Sequence, residues 1–285
     1  MLVDVHCHVV PPEMAADPAG FGLRDPHFGQ LVGTKGARFS DGEKLLEDLR
    51  ASGVSRAAVF GFAFKDVGVS QLQNDYALAI AKDHPGEIAA FAVLDPESPG
   101  AMEEAERSLL EGACGFGELF PAGHGFSLLG KGMDRLAGLA REAQVPLLIH
   151  VNEQVGHSYP GKGEVGAVEA YLFAAAHPDV SVIFAHLGGG LVFFETMAEI
   201  AGLQRVFYDT AAQPFLYKPL VYQEIKAAGA IGKVLLGSDY PLLSPKRYLR
   251  DLAASGISDD DVANIASENA LRLLGRFFLR PDEGN

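Results

Sequence analysis

The chain opens Leu2-Val3-Asp4-Val5-His6-Cys7-His8, and the way this stretch ends separates two folds. A short apolar run of this kind suits a buried strand. In an open, doubly wound sheet the first strand feeds a glycine-rich phosphate turn; here it ends in His-Cys-His. Strand side chains alternate, so Leu2, Asp4, His6 and His8 are expected on one face and Val3, Val5 and Cys7 on the other. The apolar set suits a layer of helices, and the polar set then points into a barrel lumen. His6 and His8 would stand about 6.5–7 Å apart, close enough to converge on one ion. A lone His-x-His is a weak signal, so its weight depends on what the other strands carry.

Working outward, apolar runs alternate with helical patterns along the whole chain. Strands are predicted over Leu2–Cys7, Val54–Phe60, Ile88–Leu94, Ala113–Leu119, Pro146–Val151, Val180–His186, Arg205–Asp209 and Lys233–Ser238. Helices are predicted near residues 74–83, 101–110, 133–143, 165–176, 192–201, 221–228 and 247–254, and Ser40-Asp41-Gly42-Glu43 reads as a capping box opening another. Residues 260–274 read as further C-terminal helix. Eight strands alternating with helices imply a parallel sheet, and eight is the number that closes. The expected fold is therefore α/β, a (β/α)8 TIM barrel with an additional C-terminal helix, in one domain over residues 1–285. Two connections, 9–39 and 152–164, are too long for turns and fall on the face where barrel enzymes carry their catalytic loops.

Bulk properties narrow the function. A hydrophobic content of 48% in 285 residues supports a sizeable core. A net charge of −14 repels phosphate backbones, and no basic run offsets it locally, so no nucleic-acid partner is expected. Two cysteines, Cys7 and Cys114, make no disulfide framework. No basic leader or long apolar span is present, so no membrane partner and a cytoplasmic location are expected. Leu191-Val192-Phe193-Phe194 is bulky enough for a homodimer interface, although helix packing explains it as well.

The chemistry gathers at strand ends. Glu118 follows Gly115-Phe116-Gly117, where glycines allow close approach; His150 ends Pro-Leu-Leu-Ile-His; His186 ends Val-Ile-Phe-Ala-His; Asp239 ends Val-Leu-Leu-Gly-Ser-Asp. Any one of these is an ordinary buried polar residue. Six together, with His6 and His8, meet on one rim if the barrel closes, and such a set suits Zn²⁺ or a similar divalent ion.

Here the chain resembles the amidohydrolase superfamily, in its amidohydrolase-2 branch. The resemblance is carried by Asp4-Val5-His6-Cys7-His8, Leu147-Leu148-Ile149-His150, Ala185-His186-Leu187-Gly188-Gly189-Gly190 and Gly237-Ser238-Asp239-Tyr240-Pro241. It implies that His6, His8, His150 and Asp239 bind the metal and that His186 holds the attacking water or the substrate. Glu118 occupies a position where some members carry a bridging carboxylate. It then either joins two ions, with His150 and His186 on the second, or stands as a carboxylate that supports the ligands from behind or faces the substrate. One or two ions, with Zn²⁺ the first choice, follow from that.

The expected activity is hydrolysis of a small carbonyl-containing substrate by a metal-activated water, with Asp239 as base and then acid and His186 as orienting group. The alternative is decarboxylation of a small carboxylic acid, for which decarboxylases of this branch are an equal precedent. A substrate carboxylate would need a cation, and Lys162 with His157 on the 152–164 loop is the first choice, ahead of Arg24 and Lys65. Cys7, His84 and His177 are expected to be structural. Asp209 is expected to line the pocket, and Asp4 to support the histidines from below.

Overall fold

A computed structural model describes residues 1–279. The eight strands are β1 (Val3–His8), β2 (Arg56–Phe60), β3 (Ile88–Ala92), β4 (Gly115–Leu119), β5 (Leu147–Ile149), β6 (Val182–Phe184), β7 (Val206–Asp209) and β8 (Val234–Leu235). They pair in parallel in sequence order from β1 to β8. The ends of that row meet through Val5 N donating to Leu236 O, His8 N donating to Tyr240 O, and a parallel bridge between Cys7 and Tyr240. The architecture is the (β/α)8 barrel expected.

Strand alternation sorts the core into two layers. Ala57, Val59, Ile88, Ala90, Leu147, Ile149, Val182, Phe184 and Val206 face outward, against Leu49, Ala105, Leu136, Ala140, Phe173 and Ile225 of the surrounding helices. Inside the barrel, Ala58, Phe60, Phe91, Leu148, Ile183 and Leu235 form a second cluster, which Ala270, Leu274 and Phe278 of the C-terminal helices close from below. The full burial of Phe60, Phe91 and Phe278 contributes about 1.5–3 kcal/mol each. The lumen is thus packed, and only its upper rim is free for chemistry.

β1 departs from simple alternation. Asp4 pairs with Ala57 but Cys7 with Val59, so Val5 and His6 together oppose one residue of β2. The irregularity puts Val3 and Val5 in the inner cluster and Cys7 in the outer one. The expectation that all three valine and cysteine side chains share the helix-facing side is corrected accordingly. A bulge of this type re-aims the side chains that follow it, and it leaves both His6 and His8 pointing to the rim.

The 9–39 connection, too long for a turn, carries three short helices, Pro12–Ala16, Pro18–Gly22 and Pro26–Val32. Each begins on proline, whose missing N–H costs nothing at a first helical position. Asp17 and Asp25 cap the second and third by accepting backbone N–H groups. At the next helix, Gly42–Ser52, the cap is Asp41 rather than Ser40; Ser40 Oγ instead accepts from Tyr240 OH at 3.1 Å. The predicted helix over 192–201 is largely a 3-10 segment, His186–Thr196, broken by left-handed residues at Leu187–Gly190. His84 and His177 stand at helix C-termini, away from the rim.

Candidate active site

All six rim residues meet at the C-terminal end of the barrel. His6 Nε2 lies 3.6 Å from Glu118 Oε2 and 3.7 Å from Asp239 Oδ1. His8 Nε2 lies 3.5 Å from each of the same two oxygens. The other Glu118 oxygen, Oε1, lies 2.8 Å from His150 Nδ1 and 3.6 Å from His186 Nε2. Glu118 therefore stands between two donor sets, His6–His8–Asp239 and His150–His186, each compact enough to share an ion. The resemblance allowed His150 either beside His6, His8 and Asp239 or, with a bridging Glu118, on a second ion with His186; the side chains stand in the second arrangement.

Local backbone explains the convergence. Gly117 sits at φ 146°, and a Cβ there would lie 2.4 Å from Leu148 O, so β4 and β5 approach closely and Glu118 is carried inward. His186 and Asp239 both adopt φ 56°, a left-handed conformation costing about 1–3 kcal/mol for a side chain with a Cβ. Such strain persists where surrounding bonds over-determine it. Asp209 Oδ1 accepts His186 N at 3.0 Å, and Asp239 O accepts Leu242 N at 2.7 Å.

Hydrogen bonds behind the rings fix their tautomers. His6 Nδ1 donates to Asp209 Oδ2 at 2.8 Å, His8 Nδ1 to Gly61 O at 3.1 Å and His186 Nδ1 to Ala211 O at 3.0 Å. His150 is turned the other way, with Nε2 donating to Asn152 Oδ1 at 2.8 Å. As neutral rings, all four therefore aim a lone pair at the two carboxylates. His186 Nε2 even faces His150 Nδ1 at 3.2 Å, and His6 Nε2 is buried with no hydrogen-bond partner. Acceptors facing acceptors in a buried site are costly unless protons or a cation stand among them. Donors bonded to one ion at about 2.0–2.2 Å stand roughly 3–3.6 Å apart, the spacing seen here. The residues fit a divalent metal.

Electrostatics agree. Burial disfavours charge on His8 and His186, yet Asp239 and Glu118 outweigh it and push their pKa values up to about 9 and about 10. Burial likewise opposes ionisation of Glu118 and Asp239, but the histidines hold Glu118 well below the usual range and Asp239 at about 2. The cluster seeks positive charge, which a bound cation would supply in place of protons.

The walls are aromatic. Phe62 stacks on His8 with centroids 4.2 Å apart, and Phe120 meets His150 edge-on at 4.4 Å. The expected substrate partners are otherwise engaged or exposed. Lys162 Nζ turns into its own loop, to Val155 O at 2.7 Å, Glu153 Oε1 at 3.1 Å and His157 O at 3.3 Å. That brace leaves its ammonium little to offer a substrate. His157 is exposed, and Arg24 is paired with Asp66 at 2.5 Å. Asp209 is fully buried behind His6 rather than lining the pocket. Asp4 accepts His6 N at 3.2 Å and Ser238 N at 2.9 Å, tying β1 to the segment that carries Asp239. His27, near the rim, carries no sequence expectation, while Asn152 and Glu153 open the 152–164 connection expected on this face. The Asp25-Pro26 pair, a helix cap followed by proline, was the available signal for His27.

A family model described as amidohydrolase matches residues 3–276. No curated protein matches the chain. Among solved structures the fold is similar to 2,6-dihydroxybenzoate decarboxylase from Rhizobium, at 17% identity and a TM-score of 0.68, covering 96% of this chain and 98% of the other. It is similar to 5-carboxyvanillate decarboxylase from Sphingomonas paucimobilis, at 13% identity and a TM-score of 0.75, covering 96% and 98%. It is also similar to a dihydroxybenzoic acid decarboxylase from Polaromonas sp. JS666 with bound manganese and the inhibitor 2-nitroresorcinol, at 15% identity and a TM-score of 0.71, covering 99% and 98%. At these identities the likeness shows the fold. No helix among the described residues is long and apolar enough to cross a membrane.

Proposed function

The chain belongs to the amidohydrolase family, and from that premise we propose that it is a metal-dependent decarboxylase of a small, planar carboxylic acid. The observation that carries this reading is the pair of aromatic rings set against the donor cluster, Phe62 stacked on His8 and Phe120 edge-on to His150. A planar acid suits such aromatic surroundings, with its carboxylate toward the ion. The proteins of similar fold that act on 2,6-dihydroxybenzoate and 5-carboxyvanillate are precedents for such a substrate.

His6, His8, Glu118 and Asp239 would hold the ion, with His150 and His186 beside them. A divalent cation there supplies a Lewis acid that fixes substrate oxygens, and the donor set suits Zn²⁺ or Mn²⁺. The remaining work belongs to the chain. Phe62 and Phe120 exclude water, which strengthens every charge interaction inside. His186 Nε2 and the Asp239 carboxyl face the reacting space and can carry a proton. As the carbon–carboxyl bond breaks, its electron pair stays on carbon, that proton joins the carbon, and CO2 leaves. Asp209 and the carbonyls of Gly61 and Ala211 hold the rings in register.

Hydrolysis is the second reading, favoured by the position of Glu118 between two donor sets. With ions on both sides, Asp239 would accept a proton from the attacking water and return it to the leaving group. The deciding experiment supplies metal-loaded protein with hydroxybenzoic acids and, in parallel, with aryl esters and amides. Release of CO2 from an acid supports the proposal. Ester or amide cleavage with no CO2 from any acid overturns it in favour of hydrolysis.

A further inference from the structure

The helix Pro26–Val32 packs across the loops that follow β4 and β5. A Cβ placed on Gly161 would lie 3.6 Å from Leu31 Cδ2, and one on Gly123 would lie 3.1 Å from His27 Cγ. Four residues apart, His27 and Leu31 share one face of this helix, and that face lies against the two loops, one of which touches the rim where Gly161 O meets His150 Nε2 at 3.1 Å. The His27 ring lies 4.0 Å from Phe120, and Phe120 in turn meets His150.

His27 is held firmly but left unused. Its backbone N–H donates to Asp25 Oδ1 at 2.9 Å, and the next residue, Phe28, is buried against Met14, Phe64 and Val69. Its side chain is half-buried, and among the described residues nothing hydrogen-bonds its ring nitrogens. Burial, together with nearby His150 and His124, holds its pKa down at about 4, so near neutral pH the ring is uncharged. An uncharged imidazole offers one donor and one acceptor and no charge. It is unsuited to anchoring a carboxylate and well suited to a hydroxyl.

We propose that His27 determines specificity, its imidazole hydrogen-bonding a hydroxyl substituent on the ring of an aryl carboxylic acid seated at the ion. The inference rests on the decarboxylase reading above. It gives the 9–39 connection a task beyond covering the pocket: to tell hydroxylated from unsubstituted acids. Phe120 positions the imidazole, and Gly123 leaves it room.

The test uses Mn²⁺-loaded full-length protein and calorimetric binding of benzoate and of 2-, 3- and 4-hydroxybenzoate. Wild type is expected to bind one hydroxybenzoate about tenfold more tightly than benzoate, the scale of one well-made hydrogen bond in a desolvated site. His27→Phe, which keeps the contact with Phe120, and His27→Ala should both lose that preference while binding benzoate as wild type does. His27→Gln, which keeps a donor and an acceptor, should restore most of it. Retention of the preference in the Phe and Ala variants overturns the role of His27 alone. So does an equal loss for benzoate, which would mark a structural part. Failure of wild type to bind any of the four acids overturns the decarboxylase reading and the role of His27 with it.

Discussion

Asp209→Asn isolates the orientation of one ring from the stability of the fold. Asp209 is fully buried, and its two oxygens have separate tasks. Oδ1 accepts His186 N at 3.0 Å and Ala211 N at 2.9 Å, while Oδ2 takes His6 Nδ1 at 2.8 Å. The two backbone N–H groups cannot change, so asparagine must keep its carbonyl oxygen on them and turn its amide NH2 toward His6. Donor then meets donor unless the imidazole moves its proton from Nδ1 to Nε2. That shift removes the lone pair that faces Glu118 and Asp239, and with it a metal ligand. Loss of a carboxylate behind a ligating histidine costs about 10–100-fold in metal affinity, or roughly 1.4–2.7 kcal/mol. Chelator competition with Mn²⁺ or Zn²⁺ measures it, and the metal-free melting temperature should stay close to wild type. Asp209→Ala is the contrast. It strands two buried N–H groups at about 1–3 kcal/mol each, so it should lower stability as well. Metal affinity within twofold of wild type in Asp209→Asn would refute the reasoning.

Asp239→Asn should retain the fold and lower turnover about 10²–10⁴-fold, the usual contribution of a positioned acid–base group; near-normal kcat with metal still bound would contradict it. Gly237→Ala should destabilise by about 1–3 kcal/mol in urea unfolding and weaken metal binding, because the added Cβ would lie 2.8 Å from His6 Cβ and 3.1 Å from Asp209 Cβ. Asp25 supplies a pH test. Burial raises its pKa, but the His124 imidazole 3.3 Å away and the Phe28 N–H outweigh this and bring it from 3.8 to about 2. A depressed carboxylate stabilises above its unfolded value and loses that contribution as pH falls through its folded one, so wild type should lose about 2 kcal/mol between pH 4 and pH 2 that Asp25→Asn does not. Urea midpoints at the two pH values measure the difference, and equal losses would contradict it.

The barrel and the six rim residues were legible because buried strands are short apolar runs and each polar residue ending one is conspicuous against them. What periodicity could not carry was the interruption of periodicity. The irregularity in β1 that sends Val3 and Val5 inward has no local signature, since Val5 and His6 only reveal it against the register of β2. The proline-led helices of the 9–39 connection are too short for a repeating pattern, so His27 was passed over. Pairings distant in sequence were equally hidden. Asp209 looked like a pocket residue because its strand ends at the rim, whereas its partner His6 lies 203 positions away. Lys162 looked free for a substrate because nothing in the sequence shows its loop folding back on Glu153.

Anomalous diffraction from crystals of Mn²⁺-loaded protein tests the shared cation most directly. An ion within bonding distance of His6, His8, Glu118 and Asp239, absent from His8→Ala, is the predicted result, and a second peak beside Glu118, His150 and His186 would mark the paired site. Crystals that bind no ion at this rim, or bind one elsewhere, would contradict the account.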